Sequence, residues 1–147
     1  LIAAVVGAQA ESHTIHFDNR CGFGKPTLIS GDKILSTGGD FTIDGPLKLA
    51  IAYAKWPCNC GLQGENCTLI ETTLINPTSP GTGSGTDISL IPPHAFSGPA
   101  SFMYYNGCDG KGVKCNPTCN GAAHNPSDPF LQTICLVNDV NLAITFC

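Results

Sequence analysis

Nine cysteines are the residues of this chain best equipped for covalent chemistry: Cys21, Cys58, Cys60, Cys67, Cys108, Cys115, Cys119, Cys135 and Cys147. Thiols at this density ligate a soft metal, act as nucleophiles, or oxidise in pairs. The close pairs Cys58/Cys60 and Cys115/Cys119 resemble zinc half-sites, but the compartment argues for oxidation. Leu1 to Val6 is an apolar run, Ala8-Gln9-Ala10 has the small-x-small form that signal peptidase cleaves, and polar Glu11 follows. Residues 1–10 therefore read as the remnant of a secretion signal, and 11–147 as one mature extracellular domain. An N-terminal strand that stays attached is the other reading of that run. Secreted thiols oxidise, so no metal and no cofactor is expected. Nine is odd, and spacing alone does not settle the connectivity. Cys58 and Cys60 sit two apart on an extended segment, which puts both on one face in poor geometry to bridge each other. Cys58 is the expected unpaired thiol, either buried and inert or joining two chains into a homodimer.

Other chemistry is sparse. His13 and His16 face opposite ways on a strand, while His94 and His124 lie in loops without a flanking carboxylate pattern. No G-x-S-x-G marks a serine nucleophile, and the nearest match, Gly83-Ser84-Gly85, reads as linker. Asn66-Cys67-Thr68 is an N-glycosylation sequon, whereas Asn76, Asn116 and Asn125 are each followed by a blocking proline. Only 12% of the residues are charged, the net charge is -4, and Arg20 is the sole arginine. That excludes nucleic acid, whose phosphates need clustered Lys and Arg. The opening apolar run is far short of the roughly 20 residues of a membrane span.

The elements that must position these groups are strands. Ile15 and Phe17 alternate with polar neighbours, as do Phe41 and Ile43. Leu47, Leu49, Ile51 and Tyr53 form a longer repeat, opposed by Lys48, Ala50, Ala52 and Ala54. Thr68 to Ile75, Thr86 to Ile91 and Ser101 to Asn106 follow as strands. Thr133 to Cys147 reads as a hairpin turning at Asn138-Asp139, with Val140, Leu142, Ile144 and Phe146 sharing a face. Seventeen Gly and eleven Pro supply the turns, and Pro77 to Gly85 and Asn116 to Pro129 read as surface loops. No stretch carries a helical apolar repeat. The expectation is an all-β sandwich or barrel stapled by disulfides.

In this order along the chain, F-D-N-R-C at 17–21, C-N-C-G-L-Q-G-E-N-C at 58–67, T-L-I-E-T-T-L at 68–74, T-D-I-S-L-I-P-P-H-A-F-S-G-P at 86–99 and a final Cys147 resemble a short, diverged thaumatin-like protein. The chain is similar above all to small secreted basidiomycete glycoproteins that include immunomodulatory proteins. The resemblance implies a two-sheet β-sandwich with Cys21 joined to Cys147 and Cys60 to Cys67, leaving Cys108, Cys115, Cys119 and Cys135 to pair among themselves. A bridge over so long a loop restricts the unfolded chain by about 4 to 5 kcal/mol in the entropic account.

Larger members of that family carry an acidic cleft that binds β-1,3-glucan and in some cases hydrolyses it. By resemblance, Glu71 takes the place of its Glu and Asp87 that of one Asp. The next Asp is replaced within Ile91-Pro92-Pro93-His94, and only Lys55 offers itself for the cleft arginine. Glu71 and Asp87 as ordinary solvent-facing strand residues is the plainer reading. Trp56, Tyr53, Tyr104 and Tyr105 are aromatic platforms for a pyranose ring, with at most one of the last two on any one face. Asp109, Asp128 and Asp139 are loop candidates for a missing carboxylate. The expectation is a secreted, non-catalytic fungal glycoprotein of defence, glucan-binding or immunomodulatory type, partnered by β-1,3-glucan or a host cell-surface receptor. Its alternative is a diverged endo-β-1,3-glucanase using Glu71 and Asp87.

Overall fold

The computed structural model describes residues 10–55, 60–129 and 131–147. Residues 1–9 of the expected signal remnant 1–10, together with Trp56 and Cys58, lie outside these ranges. The described residues form eleven strands and no helix: β1 (Ser12–Asn19), β2 (Lys25–Ser30), β3 (Lys33–Ser36), β4 (Phe41–Asp44), β5 (Leu47–Lys55), β6 (Leu69–Leu74), β7 (Ser84–Ser89), β8 (Ala100–Tyr105), β9 (Gly112–Cys115), β10 (Thr133–Cys135) and β11 (Asn141–Phe146). They make two sheets, one of five strands in the order β4-β1-β11-β8-β9 and one of six in the order β10-β7-β6-β5-β2-β3. The molecule is a disulfide-stapled β-sandwich.

Alternation builds the core between the sheets. His13, Ile15 and Phe17 point inward from β1, and Leu142, Ile144 and Phe146 from β11, all of them buried. The two strands run parallel, with Ile15 opposite Leu142 and Phe17 opposite Ile144. The second sheet answers with the row Leu28, Ala52, Ile70 and Ile88, registered across β2, β5, β6 and β7 and buried throughout. One polar chain crosses this core: the Tyr104 hydroxyl of β8 is hydrogen-bonded to Thr86 Oγ1 at 2.9 Å and to the Thr133 carbonyl at 2.9 Å, and Thr86 bonds Thr72 at 2.7 Å. Burial pushes the Tyr104 hydroxyl up to about 12, against the opposing hydrogen bond to Thr86, with the charge of Asp87 adding to the rise. Buried hydroxyls are tolerable because each has a partner.

Disulfides join Cys21 to Cys147, Cys60 to Cys67, Cys108 to Cys135 and Cys115 to Cys119. The first spans 126 residues and closes the end of the parallel β1–β11 pair, where Arg20 N–H also donates to the Phe146 carbonyl. With eight cysteines joined to each other, Cys58 is the one left over in the count.

Three expectations need correction. Thr133 to Cys147 is not a hairpin: β10 pairs with β7 in one sheet and β11 with β1 and β8 in the other, so the turn at Asp139 carries the chain between sheets. Ser84 and Gly85 are not linker but buried residues of β7, the serine hydroxyl receiving the Ile75 N–H. In β5 the predicted two-residue repeat breaks at a bulge. Leu47 is buried, Leu49 adopts a left-handed φ of 49° and stands 83% exposed, and beyond it the alanines face the space between the sheets, while Ile51 and Tyr53 take the opposite face, where Tyr53 is also buried.

Candidate functional site

The bulge decides what the outer face of the six-stranded sheet displays. Beyond Leu49, Ile51 and Tyr53 are turned outward on β5. Ile51 is registered with Glu71 on β6, and Glu71 with Asp87 on β7. One step past the last registered pair of β7 and β10, Thr86 with Thr133, lies Gln132. The row Ile51, Glu71, Asp87 and Gln132 therefore runs across four neighbouring chain segments. Its groups line a half-open depression of about 240 Å³ together with Leu49, Ala50, Thr72 and Thr73. Gly85 makes room for the glutamine, since a Cβ there would collide with the Gln132 amide. Thr73 Oγ1 accepts the Leu49 N–H at 3.0 Å and so holds the bulge against β6.

The structure thus brings Glu71 and Asp87 together. Directly opposed residues place their Cβ atoms about 4.5 to 5.5 Å apart. Burial pushes the Asp87 carboxyl up to about 6, and the adjacent Glu71 charge adds to the rise. A hydrogen bond from Gln132 works the other way, and one to Glu71 favours the protonated form. Asp87 therefore keeps its proton to a higher pH than an ordinary aspartate, side by side with Glu71. Thr133, Thr72 and Tyr104 fix β7 from behind through the buried hydroxyl chain.

The other candidates are placed elsewhere. Tyr53 is only 2% exposed, its hydroxyl donating to the Leu62 carbonyl at 2.9 Å beneath the 60–67 loop, so it offers no face to a sugar. Lys55 is exposed at the end of β5, opposite Lys25, and does not line the depression. Tyr104 is in the core, and Tyr105 borders a separate depression on the other sheet with His16, Met103 and Ala143. None of the three loop aspartates joins Glu71. Asp109 accepts the Gly107 N–H, Asp128 accepts the N–H groups of His124 and Asn125, and Asp139 is bonded by Asn76 and Ser12. Those bonds hold Asp128 and Asp139 below the usual carboxylate range. Asn66 is exposed in the 60–67 loop. Among the described residues no group of three or more His, Cys, Asp or Glu is placed to hold a metal ion.

Sequence reasoning missed Leu49 and Gln132. Periodicity assigned Leu49 to a regular strand face, and Gln132 lies forty-five positions from Asp87 with no local pattern to connect them. Thr73 had a signal, being two residues from Glu71 and so on the same face of β6. No protein-family model matches the chain, and no curated protein is similar to it in sequence.

Proposed function

We propose that the chain is a small, secreted, thaumatin-like glycoprotein that acts by binding a neutral cell-wall polysaccharide, β-1,3-glucan being the expected one, on the outer face of β5, β6 and β7. The observation that carries this reading is the registered row of Ile51, Glu71, Asp87 and Gln132 beside exposed Leu49. Apolar side chains next to carboxyl oxygens and an amide suit a sugar, which has an apolar C–H face rimmed by hydroxyls. Among the described residues no Lys or Arg lines the depression, which disfavours an anionic glycan. Four disulfides belong to an oxidising compartment, in keeping with secretion. Defence and immunomodulation are the roles such binding would serve.

Hydrolysis is the second reading, favoured by the proton that Asp87 holds up to about pH 6. The geometry weighs against it. Retaining glycosidases set their carboxyls about 5 to 5.5 Å apart and inverting ones about 6.5 to 9.5 Å, with the scissile bond between them. Glu71 and Asp87 are directly registered on adjacent strands and stand side by side on one face, not across a gap from each other.

The test is retention of the purified protein on insoluble β-1,3-glucan, with chitin and cellulose as controls and Glu71→Gln as the variant. Selective retention that the variant loses supports binding at this row. Retention on none of the three removes the glucan reading and turns attention to a host cell-surface receptor. Release of new reducing ends, abolished by Glu71→Gln, would replace binding with hydrolysis.

A further inference from the structure

The sequon Asn66-Cys67-Thr68 is split by the fold into an exposed end and a sealed end. Asn66 is exposed, with a left-handed φ of 63°. Thr68 is only 2% exposed, and its hydroxyl is used twice: it donates to the Gly98 carbonyl at 2.9 Å and accepts the Ser97 N–H at 3.0 Å. The Thr68 N–H in turn donates to Ser97 Oγ at 3.1 Å. The Asn66 N–H is bound to the Pro93 carbonyl, the Cys67 N–H to the Gly64 carbonyl, and the Cys67 carbonyl accepts from Ala95. Cys67 is fully buried in its disulfide with Cys60.

An enzyme that selects asparagine by the threonine two places on must reach that hydroxyl. In the folded chain it is out of reach, and the backbone around it is committed to other bonds. We propose that Asn66 receives its N-glycan before this segment folds, and that closure of the 60–67 ring and docking of residues 93–98 compete with the modification.

The transfer itself is balanced by its donor, a lipid-diphosphate-linked oligosaccharide. Asn66 Nδ2 forms a bond to the anomeric carbon, the bond from that carbon to the diphosphate oxygen breaks, and the electron pair leaves with the lipid diphosphate. The amide nitrogen gives up one proton. The product tolerates folding, because Asn66 faces outward and a glycan on it displaces no buried group.

The order of synthesis leaves a window. The groups that seal Thr68 at Gly98 lie 30 residues further along, and at about 5 to 20 residues per second they follow the sequon by about 2 to 6 s. Ring closure over seven residues requires no such wait, so it is the earlier competitor.

The experiment offers the glycan-free full chain to microsomal oligosaccharyltransferase with a lipid-linked donor, once folded and oxidised and once reduced and unfolded. Glycosidase-sensitive mass gain is the readout, and Asn66→Gln is the blank. At least tenfold more modification of the unfolded chain is expected. Equal modification of both forms, or of neither, overturns the proposal. In a secreting eukaryotic host, Cys60→Ser/Cys67→Ser keeps the sequon intact, with serine at its middle position, and should raise the occupied fraction of newly made chain. An unchanged fraction removes the competition with the disulfide.

Discussion

Tyr53 and Ile51 are neighbours on the same outward face of β5, and Leu69 and Glu71 repeat the arrangement on β6, yet the two halves of this face have opposite fates. Tyr53 and Leu69 are sealed beneath the 60–67 loop. Gly64 makes that cover possible: at φ 78° it lies against Leu69 and Tyr53 so closely that a Cβ would collide with Leu69 and press on the ring. Gln63 ties the loop to the β2–β3 turn at Gly31 and Asp32, and the Cys60–Cys67 bond closes it. Two residues along, nothing of the kind covers Ile51, Glu71 and Asp87 among the described residues, and the carboxyls border open space. One half of the face has become core, while the other keeps groups that core would not tolerate. Desolvation acts on both, raising Tyr53 with help from the charge of Glu65 and Asp87 with help from Glu71. Only the second pair is left accessible to a ligand.

The contrast is broken most severely from the covered side. Tyr53→Ala should cost about 3 to 5 kcal/mol in urea unfolding, the range for deleting a buried aromatic, whereas Glu71→Ala on the open side should change stability by less than about 1 kcal/mol. Comparable losses at both positions would show that the open half is structural after all. Removing the staple, Cys60→Ser/Cys67→Ser, should cost about 2 to 3 kcal/mol, the entropic value for so short a ring, and should expose Tyr53 to fluorescence quenchers.

Two further changes sharpen the comparison on the open side. Leu49→Gly relieves a left-handed leucine that is almost wholly exposed, so stability in thermal unfolding should hold or rise by up to about 1 kcal/mol. Retention on glucan should weaken at the same time, because the apolar edge of the depression is gone. A destabilised Leu49→Gly would mean that the side chain packs in a way the exposure does not reveal. The last change is one of slope. Asp87 is protonated in the folded state up to about pH 6, but in the unfolded chain only up to about its ordinary value of 3.8. Folding therefore takes up a proton between those values, and stability rises as pH falls through that window. Asp87→Asn should flatten this part of a pH-stability curve, and an unaltered curve would show that another group carries it.

How much of this is legible in the sequence varies with the range of the interaction. The inward faces of β1 and β11 are readable because each repeats without interruption, His13-x-Ile15-x-Phe17 and Val140-x-Leu142-x-Ile144-x-Phe146. The face of β5 is misread because a single extra residue at a bulge inverts everything after it. Strands β2, β3 and β9 escape notice, being short or, in β2, buried on both faces without alternation. Glu71 and Asp87 are singled out by resemblance, and their adjacency comes from a strand register that the sequence does not display. Gln132 is invisible, since what places it beside Asp87 is the departure of β10 from β11 into the opposite sheet.

Composition and local pattern thus determined an all-β chain with oxidised cysteines, because the two-residue period and the turn residues act within a few positions. Tertiary structure alone decided how Cys108, Cys115, Cys119 and Cys135 join, which half of the outer face is sealed, and that two carboxyl groups sixteen residues apart come to lie side by side. Those outcomes depend on register and on contacts between distant segments, and an alternating strand is compatible with many partners until packing selects one.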